Sequence, residues 1–173
     1  KYISNDKFIA LYSVGNRDSL AVFDVGNTNP VQKLELTGFA AEELYPLIEK
    51  NEFIITPRFG NYFKVYNSES ITFKNDVTFN QPITDIGVAN DSSLIAVSKL
   101  DGNVLILSKN DFRIQDSITF YRTLIIDELN LSPDGKLVGL SSTQGANSGR
   151  TNTMIWDLES KNIITSVDIS GSI

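Results

Sequence analysis

Apolar and β-branched residues occur along this chain in short runs, separated by clusters of Gly, Asn, Asp, Pro and Ser. Runs of four to eight such residues bounded by turn formers read as β-strands rather than helices. The first group covers residues 7–13, 19–24 and 31–36. The second covers 44–48, 53–56, 62–66 and 70–79, the last interrupted near Asn75. A third covers 83–88, 94–98, 104–108 and 113–120, and a fourth 124–131, 136–141, 153–157 and 163–169. Gly60-Asn61 and Gly102-Asn103 fall between apolar runs, where hairpins need residues tolerant of positive φ. One stretch competes for helix. Residues 39–50 contain Ala40-Ala41-Glu42-Glu43-Leu44, a helix-forming composition, but Pro46 stands inside it. The expectation there is at most a short turn, followed by a strand.

The groups repeat. Aligned on the end of their third strand, they read Phe23-Asp24, Tyr66-Asn67, Leu107-Ser108 and Trp156-Asp157, at spacings of 43, 41 and 49 residues. A second mark is the polar turn after the first strand: Asn5-Asp6, Lys50-Asn51, Asn90-Asp91 and Pro133-Asp134. Two marks with one period of ~40–45 residues match a four-stranded propeller blade. The added length of the last group lies in a Gly/Ser/Asn loop, residues 144–151. With strands labelled a to d, the first group has only a remnant of strand a at Tyr2-Ile3.

Trp156-Asp157 closing an apolar strand, preceded by the turn Ser132-Pro133-Asp134-Gly135, resembles the WD-repeat β-propeller family. The resemblance spans nearly the whole chain. It implies an all-β fold of about four four-stranded antiparallel blades, near 1–38, 39–81, 82–121 and 122–173. It also implies more blades than these, so the chain is expected to be part of a larger propeller. In that family the Trp packs between blades, which makes Trp156 an expected core residue. Asp101, in the run Ser98 to Asn103, holds the family's tight-turn aspartate position in the third repeat only. The family's Gly-His element is missing from every repeat, so its hydrogen-bonded network does not carry over.

Composition narrows the function further. There is no His and no Cys among 173 residues. That excludes disulfides, Cys/His zinc sites and any catalytic group built on histidine. A net charge of -6 disfavours bulk attraction to nucleic acid or anionic membrane. No apolar run approaches 18 residues. No Gly-x-Ser-x-Gly elbow occurs. The Gly145 to Gly149 segment lacks the Lys-Ser or Lys-Thr of a phosphate loop, and Asn90 to Ser93 lacks the ladder of a calcium loop. No catalytic residue, metal or cofactor is expected.

Two sets of charged residues remain. Glu42-Glu43 and Asp127-Glu128 are adjacent carboxylates, but neighbours on a strand point to opposite faces, so neither pair is expected to converge. Of the five arginines, Arg17, Arg58 and Arg150 fall in loops joining strands b and c. Arg122 falls between strand d of one repeat and strand a of the next, and Lys99 lies near the third b–c loop. In a propeller these loops share one face, with Asp18, Glu42, Glu43 and Asp101. Guanidinium forks match carboxylate and phosphate, so Arg17, Arg58, Lys99, Arg122 and Arg150 form a candidate surface for a protein partner with acidic or phosphorylated groups. The resemblance implies a non-catalytic, intracellular interaction scaffold, cytoplasmic or nuclear. The competing expectations are the substrate-gating propeller of a prolyl-oligopeptidase-type hydrolase and an extracytoplasmic binding propeller.

Overall fold

The structure, a computed structural model, describes residues 1–4, 6–15, 17–90, 93–119, 125–143 and 150–170. They form fifteen strands: β1 (Lys7–Val14), β2 (Arg17–Asp24), β3 (Gln32–Leu36), β4 (Ala41–Leu47), β5 (Glu52–Pro57), β6 (Tyr62–Asn67), β7 (Phe73–Thr78), β8 (Ile83–Val88), β9 (Leu94–Lys99), β10 (Asn103–Ser108), β11 (Ile114–Thr119), β12 (Ile126–Leu131), β13 (Leu137–Thr143), β14 (Arg150–Asp157) and β15 (Asn162–Ser170). Within each sheet, strands adjacent in sequence pair antiparallel. The result is one three-stranded sheet, β1-β2-β3, and three four-stranded sheets, β4 to β7, β8 to β11 and β12 to β15. The first sheet's missing strand a survives as one bridge, Tyr2 to Phe8. The helix-prone segment is strand β4, followed by one 3-10 turn at Ile48–Lys50. The turn thus follows the strand instead of preceding it. Pro46 is accommodated because β4 is the edge of its sheet, where an absent N–H is tolerated.

The register repeats with the sequence. The first residue of strand b pairs with the residue that ends strand c in every sheet: Lys7 with Asp24, Glu52 with Asn67, Leu94 with Ser108 and Leu137 with Asp157. One step inward, Phe8 pairs with Phe23, Phe53 with Tyr66, Ile95 with Leu107 and Val138 with Trp156. The first two are stacked aromatic pairs, at 5.0 and 5.4 Å between ring centres. In the last three sheets strand d carries a bulge at one fixed point, so that Lys74, Gln115 and Ile164 are the extra residues. The irregularity expected near Asn75 is this bulge.

The chain divides into two compact halves, Lys1–Phe79 and Asn80–Ile173. In the first half, Leu20, Val22, Leu36, Phe39, Leu44, Phe53, Ile55 and Tyr66 bury one core between two sheets. In the second, Ala96, Ile106, Ile126, Leu129, Val138 and Leu140 do the same. Within each half a carboxylate ties one sheet to the first strand of the next. Asp18 Oδ2 accepts from the Ala41 N–H at 2.8 Å, and Asp85 Oδ2 from the Leu129 N–H at 2.6 Å. Gly87 permits the second of these approaches, since a Cβ there would stand 3.1 Å from the Asn130 backbone. Trp156 packs on the second core but stays partly exposed. It thus belongs to the core, as expected, at the margin of it. The smaller Leu107 at the same repeat position is fully covered, whereas an indole is rarely enclosed on all sides.

Candidate functional site

The candidate site is the end of each sheet that carries the b–c turn. It is best formed in the first half, where the β5–β6 turn runs Pro57-Arg58-Phe59-Gly60. The Gly60 N–H donates to the Pro57 carbonyl at 3.3 Å, and Arg58 N–H donates to Ala40 at 2.9 Å. Phe59 adopts φ +60° at the turn's third position. Glycine or asparagine is usual there, and a bulky L-residue costs ~1–2 kcal/mol. Gly60 cannot trade places with it, because a Cβ there would overlap the Pro57 ring at 2.1 Å. The strain is not offset by burial: Phe59 is 85% exposed. A bulky aromatic held in this conformation and facing solvent is uncommon. Its chain neighbour Arg58 is also exposed, with Nε 3.8 Å from Glu42. Exposed ion pairs of this length hold weakly, so the guanidinium can exchange Glu42 for another acid.

Glu42 reaches Arg58 because β4 is bulged. Ala41 pairs with Pro57 and Glu43 with Thr56, leaving Glu42 as the extra residue. The same bulge recurs in β8 at Thr84 and in β12 at Asp127. At a bulge the alternation of faces is broken. Accordingly Ile126 and Leu129 are buried while Asp127 and Glu128 between them are both exposed, and Glu42 and Glu43 are likewise both exposed ahead of buried Leu44. Both members of each pair are therefore exposed, and Glu42 and Glu43 go to different partners, Arg58 and Tyr45. An apolar-acid-acid-apolar run inside a strand was the available signal. Glu43 accepts a short hydrogen bond from the Tyr45 hydroxyl.

The other expected positions are distributed as follows. Arg17 opens β2, exposed by 73%, with its guanidinium 3.0 Å from Glu35. Lys99 ends β9 at the third b–c turn but is only 5% exposed. Its Nζ lies 3.2 Å from both Asn80 Oδ1 and Asp101 Oδ2. Asp101 also accepts from the Asn103 N–H at 3.1 Å. Burial tends to raise the Asp101 pKa, but the hydrogen bonds from Asn103 and Lys99 together hold it below the ordinary carboxylate value. Lys99 therefore braces a hairpin, and of the candidate cations whose side chains are described, Arg17 and Arg58 are exposed. Arg150 is the first residue of β14, at the end of the fourth b–c loop, and Arg122 lies outside the described residues. Sequence reasoning missed Phe59. The signal was a Pro-x-Phe-Gly turn with the aromatic where glycine would normally stand.

No protein-family model matches the chain, and no curated protein matches it. Among the described residues no group of three Asp or Glu side chains is placed to hold a metal ion. Nor is any helix among them long and apolar enough to cross a membrane. What the b–c end offers chemically is contact: an apolar ring on a short turn, two exposed guanidinium groups, and adjacent exposed carboxylates at the start of β4.

Proposed function

We propose that the four sheets are blades of a WD-repeat-like β-propeller and that the protein is an interaction scaffold, with the b–c turns as its binding surface. The observation that carries this reading is Phe59, an aromatic side chain held in solvent at a backbone cost, beside an exposed arginine. Aromatic residues and arginine dominate binding hot spots. Strained residues persist where function requires them. The partner surface that fits is an apolar pocket with an acidic or phosphorylated rim, because Arg58 and Arg17 supply fork donors. The repeated register supports the blade reading, since it gives a stiff frame on which turns vary freely.

The test is a pull-down from cell extract with the native chain beside Phe59→Gly and Arg58→Glu. Both variants should retain the native melting temperature within a few degrees and lose the captured protein. Unchanged capture by both would remove the b–c turn of the second sheet from the binding surface.

A further inference from the structure

A second surface of the first half has a different chemistry. A groove of about 390 Å3 opens beside β3, lined by Leu34, Leu36 and Phe39 on one side and by Lys64, Ile71 and Phe73 on the other. Phe39 and Ile71 are buried, and Phe73 is half open. The walls are fixed in place at Gln32, whose side-chain amide donates to the Glu69 carbonyl at 2.6 Å. Lys64 stands in the middle of β6 and extends its ammonium over two rings, 4.8 Å from the centre of Phe39 and 5.7 Å from that of Phe73. No carboxylate pairs with it among the described residues. The acid of the lining, Glu35, lies 3.0 Å from Arg17 instead.

A cation half-withdrawn from water, with aromatic faces below and its cross-strand neighbour Asp76 not in ion-pair contact, is left short of hydrogen-bond acceptors. The rings satisfy part of its charge but accept none of its protons in the ordinary way. A second cation would be repelled, and a wholly apolar ligand would bury the ammonium without relieving it. An anion attached to an apolar group meets both demands. We propose that this groove docks an extended protein segment in which an aromatic or leucine side chain is followed by Asp or Glu. The apolar group fills the space among Phe39, Ile71 and Phe73, and the carboxylate accepts from Lys64 Nζ. This rests on the scaffold reading and names a second partner site for it.

Fluorescence anisotropy with labelled, end-capped hexapeptides tests the proposal. One peptide carries a phenylalanine–aspartate pair at its centre, and matched peptides carry phenylalanine–asparagine and phenylalanine–lysine. The aspartate peptide should bind the native chain at least ~5-fold more tightly than the asparagine peptide, since charge-assisted hydrogen bonds are the stronger class. Lys64→Gln should erase that difference, and Lys64→Arg should keep it, which separates a lost contact from a lost fold. Phe73→Ala should weaken both peptides by similar factors. Equal binding of the aspartate and asparagine peptides, preference for the lysine peptide, or no binding up to millimolar peptide would each overturn the proposal. Loss of the peptide preference with an intact pull-down overturns the groove alone. The reverse result overturns the loop-tip reading alone.

Discussion

In the second, third and fourth sheets the c–d turn is built the same way three times, side chains included, while the side chains of the b–c turn at the other end differ each time it is seen. At the c–d turn, the residue ending strand c uses its side chain to accept from the turn backbone. Asn67 Oδ1 takes the N–H groups of Glu69 and Ser70 at 2.9 Å, Ser108 Oγ takes that of Asn110 at 3.1 Å, and Asp157 Oδ1 takes those of Glu159 and Ser160 at 2.8 and 3.1 Å. Four residues later Ile71, Phe112 and Lys161 all have φ between 50° and 58°. The b–c turns of the second and third sheets share backbone bonds, with the Gly60 and Gly102 N–H groups donating to Pro57 and Lys99 and the Arg58 and Leu100 N–H groups to Ala40 and Pro82. The b–c turns as a set share no such side-chain rule. The first contains Gly15, the second the exposed Phe59, and the third the buried Lys99 braced by Asp101. Repeated geometry marks the end that holds each sheet together. Side-chain variation sits at the b–c end, which the scaffold reading assigns to contact.

The sharpest way to break this comparison uses two phenylalanines with positive φ, one at each end. Phe112 sits in the c–d turn and is 9% exposed; Phe59 sits in the b–c turn. Phe112→Ala should destabilise the protein by ~3–5 kcal/mol, through lost burial and a cavity. Phe59→Ala should change stability by less than ~0.5 kcal/mol, as surface substitutions do, while capture of the partner falls. Denaturant titration of both variants gives the contrast directly. Equal losses would mean that the two turns do the same work.

A smaller effect is expected for the cap itself. Asn67 Oδ1 also accepts from Ser70 Oγ at 3.0 Å, so Asn67→Ala leaves three donors to find water. The cost should be about 1–2 kcal/mol, and Asn67→Asp should retain most of it by restoring the acceptor. If Asn67→Ala is neutral by thermal melt, the repeated side-chain cap is incidental to the turn.

Much of this architecture could be read in advance, for a physical reason. Burial imposes a two-residue period on strands, and turn residues punctuate it, so strand positions and the repeat emerge from pattern alone. The Phe23, Tyr66, Leu107 and Trp156 alignment is the register the sheets adopt. Bulges were not foreseen as such. They shift one residue without changing composition, and so the shared exposure of Glu42 with Glu43, and of Asp127 with Glu128, was hidden. The site was less legible than the fold. Arginine in a loop looks the same in sequence whether it faces solvent or a carboxylate, and Lys99 gives no local sign that Asn80 will close over it. Phe59 was overlooked because the sequence puts it in a loop without showing which residue of the turn takes positive φ. Only its backbone conformation shows that it stands apart.

The smallest effect concerns acid. Asp134 lies in the a–b turn of the fourth sheet and Asp111 and Asp157 in c–d turns, all at the constant end. Each carboxyl lies below the ordinary value of 3.8: Asp134 through the Ser132 hydroxyl and then the Lys136 N–H, Asp111 chiefly through the Arg113 N–H, and Asp157 through the Ser160 and Glu159 N–H groups. A carboxylate with a depressed folded pKa stabilises the folded state above its unfolded value and loses that contribution as pH falls through the folded one. Acid should therefore loosen these a–b and c–d turns, together with the third b–c turn held by Asp101, in a window below pH 3.8, and leave the turn at Phe59 alone because among the described residues no carboxylate holds its backbone. The amide resonances of Lys136, Arg113, Glu159 and Ser160 report this, since each proton is bound to the titrating group. Their shifts should titrate with midpoints under 3.8 while the Gly60 amide stays still. Midpoints at or above 3.8, or a Gly60 amide that moves with the others, would show that the Phe59 turn does not differ from these turns in what carboxylates hold.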